Sequence, residues 1–276
     1  MAKKQWTYHF GVDDIVIFLE DLAKKNKFLS LFEQPYLAFW KEMHNKYGVK
    51  IHFNIHGERG KFNISQIPAL YKQEWLKNSD WIRLSFHQVG SPSSLFSYKN
   101  SSFQDVKKDY QDLITQIERF AGKELISPFT TIHHAAVSKD GLYALKACGV
   151  RGLGAASWRE EKDGKIVTPP NYCLTKKQMI EIDKKGYIKD EELGLYFFNF
   201  DVILHHPTVS IEKIIQGIKN TISNDEHWQH LEVTFEEYAF DPEDSRFMKD
   251  AKERVEGVLS FMQNSNIRSV FLEEVM

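Results

Sequence analysis

The sequence predicts a single α/β domain built as one parallel (β/α) barrel of seven or eight strands. Strand-like runs alternate with helical patterns about seven times along the 276 residues, the rhythm of a parallel sheet with crossover helices. No shift of composition marks a domain boundary. The strand-like runs also keep ending in Asp or His, as expected where the C-terminal strand ends of a barrel converge on one face. An open doubly wound sheet would normally carry a glycine-rich phosphate turn, and neither G-x-G-x-x-G nor a Walker-type motif occurs.

The elements follow in order. Trp6 to Ile15 is an aromatic, apolar strand that runs into the adjacent carboxylates Asp13 and Asp14. Ile15 to Lys25 has helical spacing, and Leu31 to Tyr47 is a second helix with Pro35 near its start and Gly48 just past its end. Val49 to His56 alternates with period two and reads as a strand ending in histidine. A helix is expected from about Ser65, then a strand from Trp81 to His87. Gly90 to Ser102 is rich in Ser, with Gly, Pro and Asn, and reads as a loop over the strand tips. Phe103 to Ala121 is helical, Phe129 to His134 strand-like, and Ser138 caps a short helix that stops at Gly149. Val150 to Ser157 is a strand arriving at Trp158.

Residues 159–200 break the rhythm as an irregular insertion, with a capping box at Thr175 and Gln178 and a hairpin strand from Leu195. Asp201 to His206 reads as a strand ending in a histidine pair, with its helix from Ser210 to Ile222. His230 to Glu237 is a further strand, Asp244 to Gln263 a long helix, and Ile267 to Glu273 a last strand or tail.

Composition excludes several classes. Hydrophobic residues at 42% and charged residues at 27% describe a globular chain. A formal net charge of -2, with neither sign gathered into a block, gives no footprint for nucleic acid. No apolar window reaches the length of a membrane span, and no signal-peptide core precedes the acidic pair. Cys148 and Cys173 are too few for a disulfide framework. The expectation is a cytoplasmic protein without membrane or nucleic-acid partners. Its oligomeric state is left open.

The placement of histidines points to chemistry. Seven of eleven sit at or within the ends of strand-like runs: His9, His56, His87, His133, His134, His205 and His206. Two carboxylates and several imidazoles on one barrel face suit a divalent transition metal, most readily zinc. His9 and His52 lie inside strands and read as core residues, and His44, His227 and His230 as structural ones.

Gly11-Val12-Asp13-Asp14, the strand from Ile82 to His87, and Val202-Ile203-Leu204-His205 together resemble the polysaccharide deacetylase family. The resemblance implies a distorted (β/α)7-type barrel with parallel strands and a metal-dependent hydrolase that removes an acetyl group from a carbohydrate. It implies Asp13 as general base, Asp14 and His87 as metal ligands, and His205 as general acid. The family's second metal histidine, a few residues after the first, is missing here. His87 is followed by Gln88, Val89, Gly90 and Ser91, and the family's Arg-Pro-Tyr type motif is also absent. His133 or His134 is expected to supply the further ligand. Trp158, His56 and His206 are expected at the substrate side, with a small molecule or oligosaccharide as substrate.

Two other readings compete. A barrel that has lost its metal would bind a glycan or scaffold a partner. A glycoside hydrolase would need two carboxylates from different strands, about 5 Å or more apart. Neighbouring strand residues point oppositely, so Glu236 or Glu237 would have to partner the aspartates.

Overall fold

The computed structural model describes residues 5–24, 27–90, 98–154 and 171–276. Strand β1 (Thr7–Ile15) leads to helices α1 (Ile17–Ala23) and α2 (Pro35–Tyr47), then to β2 (Ile51–His56). A small hairpin, β3 (Glu58–Arg59) and β4 (Phe62–Asn63), precedes α3 (Lys72–Lys77), β5 (Ile82–Gln88) and α4 (Phe103–Phe120). Next come β6 (Phe129–Thr130), α5 (Lys139–Ala147), β7 (Gly152–Gly154), α6 (Lys176–Lys185), β8 (Tyr187–Asp190) and β9 (Leu195–Phe198). The chain ends with β10 (Val202–Ile203), α7 (Ile211–Ile222), β11 (His230–Glu236), α8 (Ala251–Asn264) and β12 (Arg268–Ser269).

The strands form two arcs of one ring. One runs β10-β11-β1-β2-β5, all parallel, and the other β6-β7-β9-β8, with only β8 antiparallel. A single bridge between Leu84 and Ile126 links β5 to the approach of β6. On the other side, one stretch of chain pairs with β7 through β9 and with β11 through β10. The fold is therefore a (β/α)7-type barrel, distorted because its ring is not closed by continuous pairing.

Period-two alternation builds two different cores. Phe10, Val12, Phe53, Leu84, Phe86, Val233 and Phe235 face outward under the helices and are essentially inaccessible. Each such side chain contributes about 1.5–3 kcal/mol when fully buried. The alternate positions are polar and meet each other inside the barrel. His9 Nδ1 lies 2.8 Å from Glu232, His9 Nε2 lies 3.0 Å from His52, and His230 Nε2 lies 2.9 Å from Glu232. Above them, the Ser85 hydroxyl donates to the Asn54 carbonyl at 2.6 Å. A barrel interior is more often filled with branched apolar residues. Here a polar column supports whatever sits at the strand tips.

The sequence expectations need local corrections. The first strand runs through both aspartates, so α1 starts at Ile17, and its N-terminus is capped from elsewhere. Glu237 accepts the N–H groups of Val16, Ile17 and Phe18 at 2.6, 2.7 and 2.8 Å. The second helix starts at Pro35, where the Gln34 side chain caps it. The expected strand from Phe129 to His134 stops at Thr130, because His133–Ala135 turns as a 3-10 helix. The last long helix begins at Ala251 and not at Asp244. Helices α4, α6 and α7 lie where their caps and spacing put them.

Candidate active site

A bulge in β1 creates the site. The pairing of β1 with β2 shifts between Val12 and Ile15, and Asp14 takes a left-handed conformation with φ of 59°. Without the bulge, Asp13 and Asp14 would point to opposite faces of the sheet. With it, both line one cavity of about 420 Å³ at the C-terminal strand ends. A non-glycine residue held at positive φ costs about 1 kcal/mol or more, and such outliers concentrate at functional sites.

Asp14 Oδ1 is the focus of three imidazoles. His56 Nε2 lies 2.9 Å away, His133 Nδ1 3.0 Å and His87 Nε2 3.2 Å. The four potential ligand atoms lie within 4.8 Å of one another, and all four residues are buried. The far nitrogens of two rings are already committed. His56 Nδ1–H donates to the Gly90 carbonyl at 3.1 Å, and His87 Nδ1–H donates to the Thr131 carbonyl. A carbonyl only accepts, so each ring carries its proton on Nδ1 and presents Nε2 inward. This is the arrangement that orients metal-binding histidines.

Lone pairs on neutral imidazoles facing a carboxylate oxygen repel unless something positive lies between them. A proton on a ring is one solution, and a divalent cation is the other. Burial opposes ionisation of Asp14, but His133, His56 and His87 outweigh it and hold the carboxyl well below the usual range. Burial likewise opposes charge on His87, yet Asp14, Asp13 and the Thr131 carbonyl raise its pKa. His56, dominated by burial, is pushed down to about 4. The set of three nitrogens and one oxygen can hold a metal ion of the zinc type.

Around this group stand further titratable residues. Asp13 accepts a hydrogen bond from the Asn54 amide at 2.7 Å, and burial raises its pKa to about 6. His205 also lines the cavity, its Nε2 3.1 Å from Glu236. Glu236 is the register partner of Asp13 on β11. Burial, then the charges of Asp14 and Asp13, raise the Glu236 pKa well above the carboxylate range.

The structure distributes the sequence candidates as follows. Asp13, Asp14, His87, His133, His134 and His205 all line the cavity. His56, expected at the substrate side, is instead one of the four converging groups. Of the adjacent pair, His133 joins the group, while His134, at φ of 56°, stays exposed on the cavity wall. His206 is exposed beside Thr208, 3.2 Å from its hydroxyl, and does not line the cavity. Trp158 lies outside the described residues. Sequence reasoning missed Asn54, although it sits two residues before His56 on the same strand face, and it missed Arg246 and Tyr238, which no periodic pattern marks.

No family model matches the sequence. No curated protein matches it either. Solved structures match over nearly the whole chain. A 4-alpha-glucanotransferase from Thermococcus litoralis aligns with a TM-score of 0.55 at 12% identity, covering 98% of this chain and 40% of that one. A protein assigned as a polysaccharide deacetylase from Mycobacterium smegmatis aligns with a TM-score of 0.54 at 10% identity, covering 100% and 91%. A GH57 branching enzyme from Thermococcus kodakaraensis, in complex with glucose, gives 0.55 at 7% identity, covering 98% and 70%. The chain thus spans two fifths of the glucanotransferase and most of the deacetylase. At these identities the likeness establishes a shared (β/α)7-type barrel fold.

Proposed function

We propose that the protein is a metal-dependent hydrolase that removes an acyl group, acetyl in the first instance, from a carbohydrate or related small substrate. The observation that carries this reading is the convergence of His56, His87 and His133 on Asp14, with Asp13 and His205 lining the same cavity. The near-complete two-way coverage with a deacetylase barrel supports it. The donor set of three imidazoles and a carboxylate favours zinc among divalent metals.

A metal held by Asp14, His56, His87 and His133 supplies Lewis acidity toward the acyl oxygen and acidifies a water. The protein's own residues do the rest. Asp13, fixed by the Asn54 amide, takes the proton of the attacking water. Its pKa of about 6 suits a base working near neutral pH. His205, lining the same cavity with Glu236 holding its ring, gives a proton to the departing amine or alkoxide. The cavity, about 420 Å³, is large enough for a sugar unit with its acyl group. No helix among the described residues is long and apolar enough to cross a membrane.

His56 speaks against a metal-free binding barrel, because it offers a ligand atom from a different strand where no histidine follows His87. A glycoside hydrolase is the second reading. Asp13 and Glu236 are register partners on adjacent strands, and burial with the charges of Asp14 and Asp13 raises the Glu236 pKa, the direction a general acid needs. One experiment separates these. Purified protein is analysed for metal, then assayed for acetate release from acetylated sugars and for reducing-end release from oligosaccharides. Acetate release that disappears in Asp14→Ala supports the deacetylase reading. Reducing-end release that survives metal removal would replace it with the glycosidase.

A further inference from the structure

Arg246 lies on the wall of the same cavity, where it is the only lysine or arginine among the described lining residues. Its guanidinium is fixed in one plane. Nε and Nη2 donate to the two carboxylate oxygens of Asp244, each at 2.9 Å. One face covers the Tyr238 ring, with the guanidinium carbon 3.5 Å from the ring centroid. Asp244 is held in turn, because its Oδ1 accepts the Arg246 backbone N–H at 2.8 Å. This leaves Nη1, which makes no hydrogen bond among the described residues and lies 3.9 Å from Asp14 Oδ2. That separation is beyond hydrogen-bonding distance.

We propose that Arg246 selects a substrate carrying a compact oxyanion, a carboxylate or a phosphate, close to the acylated position. The inference rests on the reading of the cavity as an acyl-hydrolase site and names its substrate class. Nη1 has only that longer ion contact with Asp14, and the side chain is 49% exposed at the cavity wall, where a ligand can reach it. Asp244 already balances its charge, and Asp14 meets the imidazoles through Oδ1 and not through the oxygen nearest Arg246. A stacked, braced guanidinium loses little freedom on binding, so its remaining N–H groups are preorganised for a planar or tetrahedral oxyanion.

The test compares N-acetylglucosamine with N-acetylglucosamine 1-phosphate and N-acetylmuramic acid, whose anions sit beside the acetamido carbon, on the zinc-loaded protein. Calorimetry gives Kd, and acetate release gives kcat and KM, for the wild type, Arg246→Gln and Arg246→Lys, with metal content measured for each. At least one anionic sugar should bind the wild type about tenfold or more tightly than the neutral one. The phosphate and carboxylate sugars show which oxyanion is read. Arg246→Gln should bring that sugar to the level of the neutral one through KM, with the metal content unchanged. Arg246→Lys should retain part of the preference. Equal affinity for all three sugars, or a preference that survives in Arg246→Gln, would overturn the proposal. So would loss of metal with uniform loss of activity, which would make Arg246 a support for Asp14. Acetate release without anion preference would refute this inference and leave the hydrolase standing. An Arg246-dependent preference without acetate release would do the reverse.

Discussion

Substituting His56 by alanine tests the site most directly, because the sequence pattern alone would leave this residue outside the metal group. In the structure its ring is fully buried, with Nε2 2.9 Å from Asp14 Oδ1 and Nδ1 tied to the Gly90 carbonyl. Zinc that binds only the folded state stabilises it by RT ln(1 + [L]/Kd), about 4.1 kcal/mol at a thousandfold excess over Kd. A chain of this length melts with an entropy that makes 1 kcal/mol worth about 2 °C, so zinc should raise the wild-type Tm by roughly 7 °C. Removing an outer-shell partner of a ligand commonly costs 10–100-fold in metal affinity, so losing a ligand should cost at least about 100-fold. At the same zinc concentration the stabilisation then falls to about 1.4 kcal/mol, and the Tm shift to roughly 2 °C. The measurements are thermal melts with and without zinc and chelator, and a competition titration with a chromophoric chelator. A His56→Ala protein whose zinc affinity stays within about threefold of wild type would refute the assignment of His56 to the metal group.

Other substitutions separate chemistry from architecture. Asp13→Asn should keep one equivalent of metal while acetate release falls by about 10²–10⁴-fold, the usual contribution of a general base; metal analysis and initial rates on the same preparation check this. Asn54→Leu removes the amide that donates to Asp13 and the carbonyl that accepts from Ser85, so kcat should fall while metal content stays constant. Metal loss in this variant would show that Asn54 supports the ligands instead. Glu237→Ala strips the N-terminus of α1 of its three carboxylate contacts and should lower stability by about 3 kcal/mol, read as a Tm drop of roughly 5 °C, because buried N–H groups are left without acceptors. Deleting residues 268–276 removes β12 from β1 together with the Arg83–Glu273 and Lys50–Glu274 pairs, and urea denaturation should show a lower midpoint.

Much of the architecture was legible along the chain. Period-two strands with apolar residues on one side, capped helices between them and the carboxylates at the first strand tip are local signals. They are enough to specify a parallel barrel and to single out Asp13, Asp14 and His87. The same alternation already placed His52, Asn54 and His56 on one strand face, although nothing local said what they would meet. Tertiary structure decided that. The bulge at Asp14 breaks the alternation that sequence reasoning must assume, and brings both aspartates into one cavity. Consecutive left-handed residues at His134 and Ala135 shape the turn in which His133 joins the metal group and His134 stays on the wall. Two adjacent histidines are indistinguishable in sequence. Glu237, outside the periodic strands, reaches partners more than two hundred residues away in the chain. Local periodicity reports which face of an element a side chain occupies. Which atoms converge on one point depends on strand register and backbone torsions set by packing across the whole barrel, so the ligand group became visible only in three dimensions.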